Sequence, residues 1–130
     1  MTAWKNQKGA SAVEFAIILP ILIALFFGIV DFGLLIYDKQ VITNASREGA
    51  RAGIVQRIPR LSVAGITGVV NDYAASHLVT FGSGTSPTTT VPSGSCASFG
   101  QDLDVIVSYN YNFLAVRTIA ITAQTTMKCE

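Results

Sequence analysis

The hydrophobic positions of the chain form one long run near the N-terminus, followed by shorter periodic segments. From Phe15 to Tyr37, 22 of 23 residues are apolar, and the exception is Asp31. At about 1.5 Å per helical residue this segment is roughly 34 Å long, enough to cross a hydrocarbon core of about 30 Å. A buried core helix is the alternative, but the rest of the chain is too small to cover so much apolar surface. We therefore predict one transmembrane helix over residues 14–37.

Beyond Tyr37 the pattern becomes polar, but helix-forming residues persist, so the same helix should continue to about Gln56, before Pro59. Small residues recur there every four positions, and they lie on one helix face: Ala45, Gly49 and Gly53. Such a stripe allows close packing, either on the chain's own sheet or on another subunit.

Three charged side chains lie on the same extension of the helix. Arg47 and Arg51 are one turn apart, with Glu48 beside them. The pattern is compatible with a solvated charged face and also with ion pairs between subunits.

The remainder of the chain predicts a small α+β head. Leu61 to Phe81 keeps apolar residues at helical spacing, which indicates a second, shorter helix. Residues 82–100 are rich in Gly, Ser, Thr and Pro and read as a surface loop, with a short strand at about 88–91. Leu103–Phe113 and Ile119–Met127 then alternate with period two, which predicts an antiparallel hairpin with one apolar face. The fold class is α+β, with a long N-terminal helix, a second helix and a small antiparallel sheet.

Cys96 and Cys129 bracket this hairpin. A disulfide between them would close a loop of about 33 residues and contribute about 3 to 4 kcal/mol in the chain-entropy model. Free cytosolic thiols or a redox couple are the alternative, although the two residues do not form a C-x-x-C motif.

Composition reduces the number of functional classes to which the protein could belong. The net charge is +1, only 13% of residues are charged, and mean hydropathy is +0.47, which disfavours a nucleic-acid partner. One His and two Cys barely suffice for a zinc site. His77 has no acid or Cys at ligand spacing, and Asp102 and Asp104 share one strand face, where they should protect a sheet edge or reach solvent. The sequence therefore predicts no enzyme, metal, cofactor or small-molecule substrate.

The residues before the apolar run carry the most specific signal. Lys5 and Lys8 form a basic leader, but no A-x-A site follows the run, so a cleaved secretory signal is disfavoured. Glu14 stands at the head of the membrane helix, where an unpaired carboxylate costs about 2 to 3 kcal/mol or more. A partner for Glu14, or a position at the interface, is therefore expected.

The segment Lys8 to Phe15 resembles the class III signal of type IV pilins and pseudopilins. That resemblance implies cleavage by a prepilin peptidase between Gly9 and Ala10, with Glu14 at the fifth mature position. The new amine of Ala10 would then pair with Glu14 of a neighbouring subunit.

The same helix resembles the TadE-like family of pseudopilins. The shared elements are an A-V-E-F-A start, a mid-span Leu-Pro, a Gly-x-x-Asp-Phe-Gly stretch and an Asn-Ala-x-Arg-Glu-Gly-Ala-Arg end; here they are Ala12–Ala16, Leu19–Pro20, Gly28–Gly33 and Asn44–Arg51. The resemblance covers Gly9 to about Gly53. It implies a minor structural or assembly component of a tight-adherence (Flp-type) pilus or a related secretion system, acting by helix packing.

Each element also has a physical interpretation. Pro20 removes a backbone donor and should kink the helix. Gly28 and Gly33 thin the helix and allow another helix to approach, while the apolar face beginning at Phe15 supplies contact area. Asp31 should lie in the outer half of the span, where it snorkels outward or meets a cation.

The sequence thus divides into a leader at 1–9, a long helix at 10–57 and a head at 58–130. Expected partners are other pilins, the inner-membrane assembly platform, the prepilin peptidase and lipid. Cations flank the span on both sides, so their distribution does not determine the orientation of the helix. The short leader and the two Cys favour an N-terminus inside and a head outside the cytoplasmic membrane. An uncleaved single-pass envelope protein and the inverted topology with a cytosolic head remain as alternatives.

Overall fold

The structure is a computed structural model that describes residues 4–80, 86–113 and 116–130, with side chains described from residue 9 onward. Its elements, in chain order, are α1 (Trp4–Ile54), α2 (Val63–His77), β1 (Thr88–Thr90), β2 (Asp102–Phe113) and β3 (Arg117–Lys128). The predicted α+β class, with one long N-terminal helix, a short second helix and a small antiparallel sheet, is confirmed.

Helix α1 is 51 residues long and contains Pro20. At about 1.5 Å per residue it extends over roughly 75 Å. It begins upstream of Ala10, inside the basic leader, and it ends at Ile54, two residues before the predicted Gln56. The kink at Pro20 stays a prediction.

Helix α2 begins later than Leu61 because Ser62 caps it: the Ser62 side chain accepts a hydrogen bond from the backbone N–H of Gly65 at 3.2 Å. The helix ends at His77, where the N–H of Leu78 donates to the carbonyl of Ala74. The predicted end at Phe81 lies outside the described residues. The buried face of α2 consists of Ile66, Val70 and Ala74.

The three strands form an antiparallel sheet in the order β1-β2-β3. Strand β2 is central and pairs with β3 along its whole length, while β1 pairs with it only from Ile106 to Ser108. Side chains alternate as the pattern predicted, so the odd-numbered residues of β2 from Leu103 to Tyr111 are buried. The same face of β3 buries Ile121 and Ala123.

The core lies between the inner face of the sheet and the two helices. Its members come from the second half of α1, from α2, from β2 and β3, and from the two cysteines; they include Ile42, Ala45, Ala50, Ile66, Val70, Leu103, Val105, Val107, Tyr109 and Tyr111. Helix α1 packs against α2, β2 and β3. The head is therefore built around the second half of the same helix whose first half is apolar and uncovered.

Candidate functional site

The first half of α1 is a continuous apolar surface. From Gly9 to Val30 every residue except the half-buried Gly28 is exposed, including large side chains such as Phe15, Phe26 and Ile29. Among the described residues, α1 is the one helix that is long and apolar enough to cross a membrane. An exposed apolar patch of this extent marks a surface that contacts lipid or other proteins. We refer to residues 9–30 as the apolar stem.

The stem ends at a polar contact between helix and sheet. Asp31 is 9% exposed, and its carboxylate accepts a hydrogen bond of 2.6 Å from the hydroxyl of Tyr111. Burial, then this bond and the charge of Asp31, raise the pKa of Tyr111 well above its usual range, so the phenol stays protonated and donates. Asp31 thus contacts a tyrosine of its own head, a partner that the sequence did not indicate.

A second buried acid lies two turns further along the same helix face. Asp38 is fully buried, and its Oδ1 accepts a hydrogen bond of 3.1 Å from the backbone N–H of Val79. Its Oδ2 has no hydrogen-bond partner within residues 4–80, 86–113 and 116–130. Burial raises the pKa of Asp38, and the Val79 bond offsets part of that rise. The carboxylate ties the segment after α2 to α1.

The stripe of small residues packs inside the head. A Cβ added at Gly49 would lie 2.5 Å from Val70 of α2, and one added at Gly53 would lie 2.6 Å from Leu103 of β2. Ala45 is fully buried in the same core. The sequence left open whether this stripe packs on the chain's own head or on another subunit. In the structure it packs on α2 and β2 of the same chain.

Two polar contacts fix α1 against β3. Lys39 donates its ammonium to the carbonyl oxygen of Thr122. Further along, the hydroxyls of Ser46 and Thr125 lie 2.7 Å apart, and Ser46 is fully buried. Sequence reasoning did not identify Asp38, Ser46 or Tyr111; the one available signal was that Asp31 and Asp38 are seven residues apart, which places them on one face of a helix.

The disulfide joins Cys96 and Cys129 at the end of the head that lies farthest from the stem. Around it, the N–H of Gly100 donates to the carbonyl of Cys129 at 2.9 Å, and the N–H of Glu130 donates to the carbonyl of Ile54 at 3.3 Å. The loop before β2 and the segment after β3 are therefore held together beside the end of α1.

The charged residues singled out on α1 are solvent-facing. Arg47, Glu48 and Arg51 are exposed, and the Arg51 guanidinium lies 3.9 Å from the Glu48 carboxylate. A pair this exposed contributes little to stability, typically less than about 1 kcal/mol. The structure leaves these side chains accessible to solvent or to a second molecule.

The remaining candidates on the head have local partners. His77 is exposed, stacks on Tyr73 and contacts its carbonyl. Asp102 and Asp104 lie on the outer face of the sheet, in the part of β2 that β1 does not pair with; Asp102 is exposed and Asp104 is half-buried. Both pair across to β3, Asp102 with the ammonium of Lys128 at 2.6 Å and Asp104 with the hydroxyl of Thr126. No cluster of three or more His, Cys, Asp or Glu that could hold a metal ion occurs in the described part of the chain.

The proposed processing residues lie at the start of the stem. Gly9, Ala10 and Glu14 are exposed on α1, and a Cβ added at Gly9 would meet nothing within 4 Å. The same is true at Gly28 and Gly33. These positions are therefore open to another molecule.

Together these features define the class: a membrane-anchored protein whose single long helix carries a small disulfide-bonded α+β head. Residues 9–51, a third of the chain, match the family model of the TadE-like proteins, so the resemblance indicated by the sequence motifs is confirmed over this segment. The match associates the protein with the Tad pilus. Comparison with curated proteins and with solved structures yields no match.

Proposed function

We propose that this protein is a minor pseudopilin of a tight-adherence (Flp-type) pilus or a related secretion system, and that it acts by helix packing, without catalytic turnover. The observation that carries this proposal is the apolar stem. It is a helix surface of about 33 Å that the chain's own head leaves uncovered, and it belongs to the TadE-like segment. Such a surface suits storage in a lipid bilayer and later packing among other membrane helices.

Processing is the first step of this proposal. A prepilin peptidase would cut between Gly9 and Ala10, which are both exposed on α1; among the described side chains, none lies within 4 Å of a Cβ added at Gly9. The new α-amine of Ala10 is a cation at the edge of the span, and Glu14 is a carboxylate one helical turn away. Pairing the amine with Glu14 of a neighbouring subunit would neutralise both charges and set the register of the two helices.

Fewer of the motif residues are available for contact with other subunits than the sequence alone implies. Asp31 and the stripe of Ala45, Gly49 and Gly53 are used inside the head. The apolar residues of α1 that stay accessible to other subunits include those of the stem and, beyond it, Phe32, Gly33 and Tyr37. Arg47, Glu48 and Arg51 are accessible at the level of the head and can form ion pairs with a neighbouring subunit.

The proposal places the protein in the cytoplasmic membrane before assembly, with its N-terminus inside and its head outside. The disulfide supports this orientation, because structural disulfides persist in oxidising compartments. Its partners would be other pilins, the inner-membrane assembly platform, the prepilin peptidase and lipid.

Mass spectrometry of the protein from native membranes tests the proposal. The intact mass and the N-terminal peptide are measured in cells with and without the prepilin peptidase. We expect a chain that begins at Ala10 only when the peptidase is present. Gly9→Val should block this cleavage, whereas the matched variant Ser11→Ala should not.

An N-terminus upstream of Ala10 in cells with an active peptidase would contradict processing. The protein would then be an uncleaved single-pass envelope protein with a binding head. Reduced Cys96 and Cys129 in rapidly alkylated cells would contradict the orientation and indicate a cytosolic head.

A further inference from the structure

Strand β3 forms an edge of the sheet, because the strand order is β1-β2-β3 and β3 pairs on one side only. Two hydrogen bonds show which backbone groups point to each side. The N–H of Cys129, the residue after β3, donates to the carbonyl of Gln101 at 2.8 Å, whereas the carbonyl of Thr122 accepts from the Lys39 ammonium. Backbone direction alternates along a strand, so the even-numbered residues of β3 direct their N–H and C=O groups away from β2.

This outward row of backbone groups is free over most of its length. In the part of the chain that the structure describes, Lys39 is the one residue that bonds to it. The even-numbered residues from Thr118 to Thr126 are exposed on the outer face of the sheet. The opposite edge is partly closed by the chain itself: β1 pairs with β2 at Ile106 to Ser108, and the Ser93 hydroxyl accepts from the N–H of Asp104 at 2.9 Å. The sheet can therefore be extended at β3.

The sequence of β3 suits pairing with a further strand. Between Arg117 and Lys128 lie ten residues without a charge, a proline or a glycine, and six of them are β-branched. Proteins usually protect an edge strand with charges, proline, a bulge or a covering segment. Here Lys39 reaches the edge from α1 and meets a single carbonyl near the middle of the strand.

A second copy of the chain does not fit this edge symmetrically. Strand β2 runs antiparallel to α1, since Leu103, near its start, packs at Gly53, and Tyr111, near its end, bonds to Asp31. Strand β3 therefore runs in the direction of α1, and two copies anchored in one membrane would present parallel β3 strands. In a parallel pair, a residue whose backbone points to the partner strand lies opposite one that points away. A two-fold axis places identical residues opposite each other, so this pattern cannot form.

The charges beside the edge indicate what the added strand carries. Lys39 lies at the middle of the edge and Arg117 at the start of β3, and within the described side chains neither takes part in an ion pair. Lys128, at the end of β3, is paired with Asp102. An acidic side chain opposite Thr122 would meet the Lys39 ammonium. Such an exposed pair adds little affinity, but it favours one register of the incoming strand over the others.

We propose that the outer edge of β3, over Thr118 to Thr126, binds an extended segment of a different protein, which adds a fourth strand to the sheet and places an acidic residue beside Lys39. Backbone hydrogen bonds supply the affinity, so the segment has no proline at the positions that face β3. This contact goes beyond the proposed function, because it involves the head and not the packing of the stem.

Hydrogen–deuterium exchange of the full chain in membranes tests the contact. The protein is labelled in membranes of its native cells and in membranes of a host that makes this chain alone, and fragmentation that resolves single amides reports on β3. The outward amides, such as those of Thr122 and Gln124, should exchange within seconds when the chain is alone and at least several-fold more slowly in native membranes. The amide of Ala123 points to β2 and should be slow in both.

Two substitutions at one residue separate the backbone from the side chain. Gln124→Pro removes an outward N–H that the head does not use, so the head should stay folded, while the remaining outward amides should exchange quickly even in native membranes. The matched variant Gln124→Ala keeps the N–H and should behave like the wild type. Lys39→Glu opposes an acidic partner and should weaken the protection, whereas Lys39→Arg should preserve it.

Fast exchange of the outward amides in both membranes would overturn the proposal. Slow exchange in both would also overturn it, because the chain itself or a second copy would then close the edge. Unchanged protection in Lys39→Glu would contradict the acidic residue of the partner. The comparison of the two membranes uses the wild type, so it decides the question even if Gln124→Pro does not fold. An N-terminus upstream of Ala10 would contradict processing and leave this test unaffected.

Discussion

The hydroxyl of Tyr111 donates a 2.6 Å hydrogen bond to a carboxylate oxygen of Asp31, a residue 80 positions earlier in the chain. This bond joins the end of β2 to the point at which the apolar stem ends. It satisfies a carboxylate that would otherwise be costly so close to a bilayer. The acid in the middle of the hydrophobic run is therefore part of the junction between anchor and head.

Removing the hydroxyl should destabilise the head. Tyr111→Phe leaves the buried Asp31 carboxylate without this donor, which costs about 1 to 3 kcal/mol. Unfolding of the full chain in detergent micelles by urea, followed by near-ultraviolet circular dichroism, measures the loss. Tyr37→Phe, at an exposed position of the same helix, is the matched control and should change little.

A double-mutant cycle with Asp31→Asn shows whether the two groups act together. The effects of Tyr111→Phe and Asp31→Asn should not add, because either change weakens the same contact. Strict additivity would contradict the role of this bond in joining the sheet to α1.

The sequence predicted most of the fold because its periodicities are long and unambiguous. The apolar run indicated the stem, and the alternation from Leu103 onward predicted the buried face of β2, because a strand buries every second side chain. The end of α1 and the start of α2 were displaced by two residues each, since capping and packing decide helix ends. At the start of α2, the N-cap formed by Ser62 determines the first helical residue.

The sequence predicted the candidate site less completely, because its contacts join residues far apart in the chain. A single acid in an apolar run gives no indication of its partner, and Tyr111 reads only as one more residue of an alternating strand. The stripe of Ala45, Gly49 and Gly53 was recognised as a packing surface, but a stripe does not identify what packs on it. Only the fold shows that α2 and β2 occupy it.

The glycines of α1 should separate into two functional groups. Gly49→Ala places a Cβ 2.5 Å from Val70, whereas Gly28→Ala meets nothing within 4 Å. Overpacking costs about 1 to 3 kcal/mol, while replacing an open helical Gly by Ala gains up to about 1 kcal/mol. We expect Gly49→Ala to lower the midpoint of urea unfolding and Gly28→Ala to leave it unchanged or raised.

The same pair of variants tests helix packing between subunits. If other pilin helices approach the stem at its glycines, Gly28→Ala should reduce recovery of the protein in sheared pili while its amount in the membrane stays the same. Equal recovery of Gly28→Ala and wild type would contradict close approach at this position.

Loss of the disulfide should weaken the distal end of the head. Cys96→Ser combined with Cys129→Ser opens a loop of about 33 residues and should cost about 3 to 4 kcal/mol in the chain-entropy model. Urea unfolding of the oxidised wild type, the reduced wild type and the double variant measures the effect. The reduced protein and the double variant should agree; stability equal to that of the oxidised protein would show that the core holds the head without the crosslink.

Because Asp38 is buried, its contribution to the free energy of unfolding should fall as the pH rises, whereas that of a salt-bridged acid rises with pH. Burial raises its pKa in the folded head above the usual value of 3.8, so the folded state binds the proton more tightly than the unfolded chain does. Its contribution to stability is therefore fully present below pH 3.8 and is lost as the pH rises through the folded-state pKa. Asp38→Asn removes the buried charge and keeps an oxygen that can accept from the N–H of Val79.

We therefore expect Asp38→Asn to increase the free energy of unfolding at neutral pH and to reduce its decline between acidic and neutral pH. Asp38→Ala should instead lose about 1 kcal/mol or more, because the buried N–H of Val79 then lacks its acceptor. Asp72→Asn, an exposed acid on α2, is the control for a change of net charge. Urea unfolding of the full chain in micelles across this pH range measures all three variants. If Asp38→Asn parallels the wild type at every pH, the pKa of Asp38 is the same in the folded and the unfolded chain, which would contradict a pKa raised by burial.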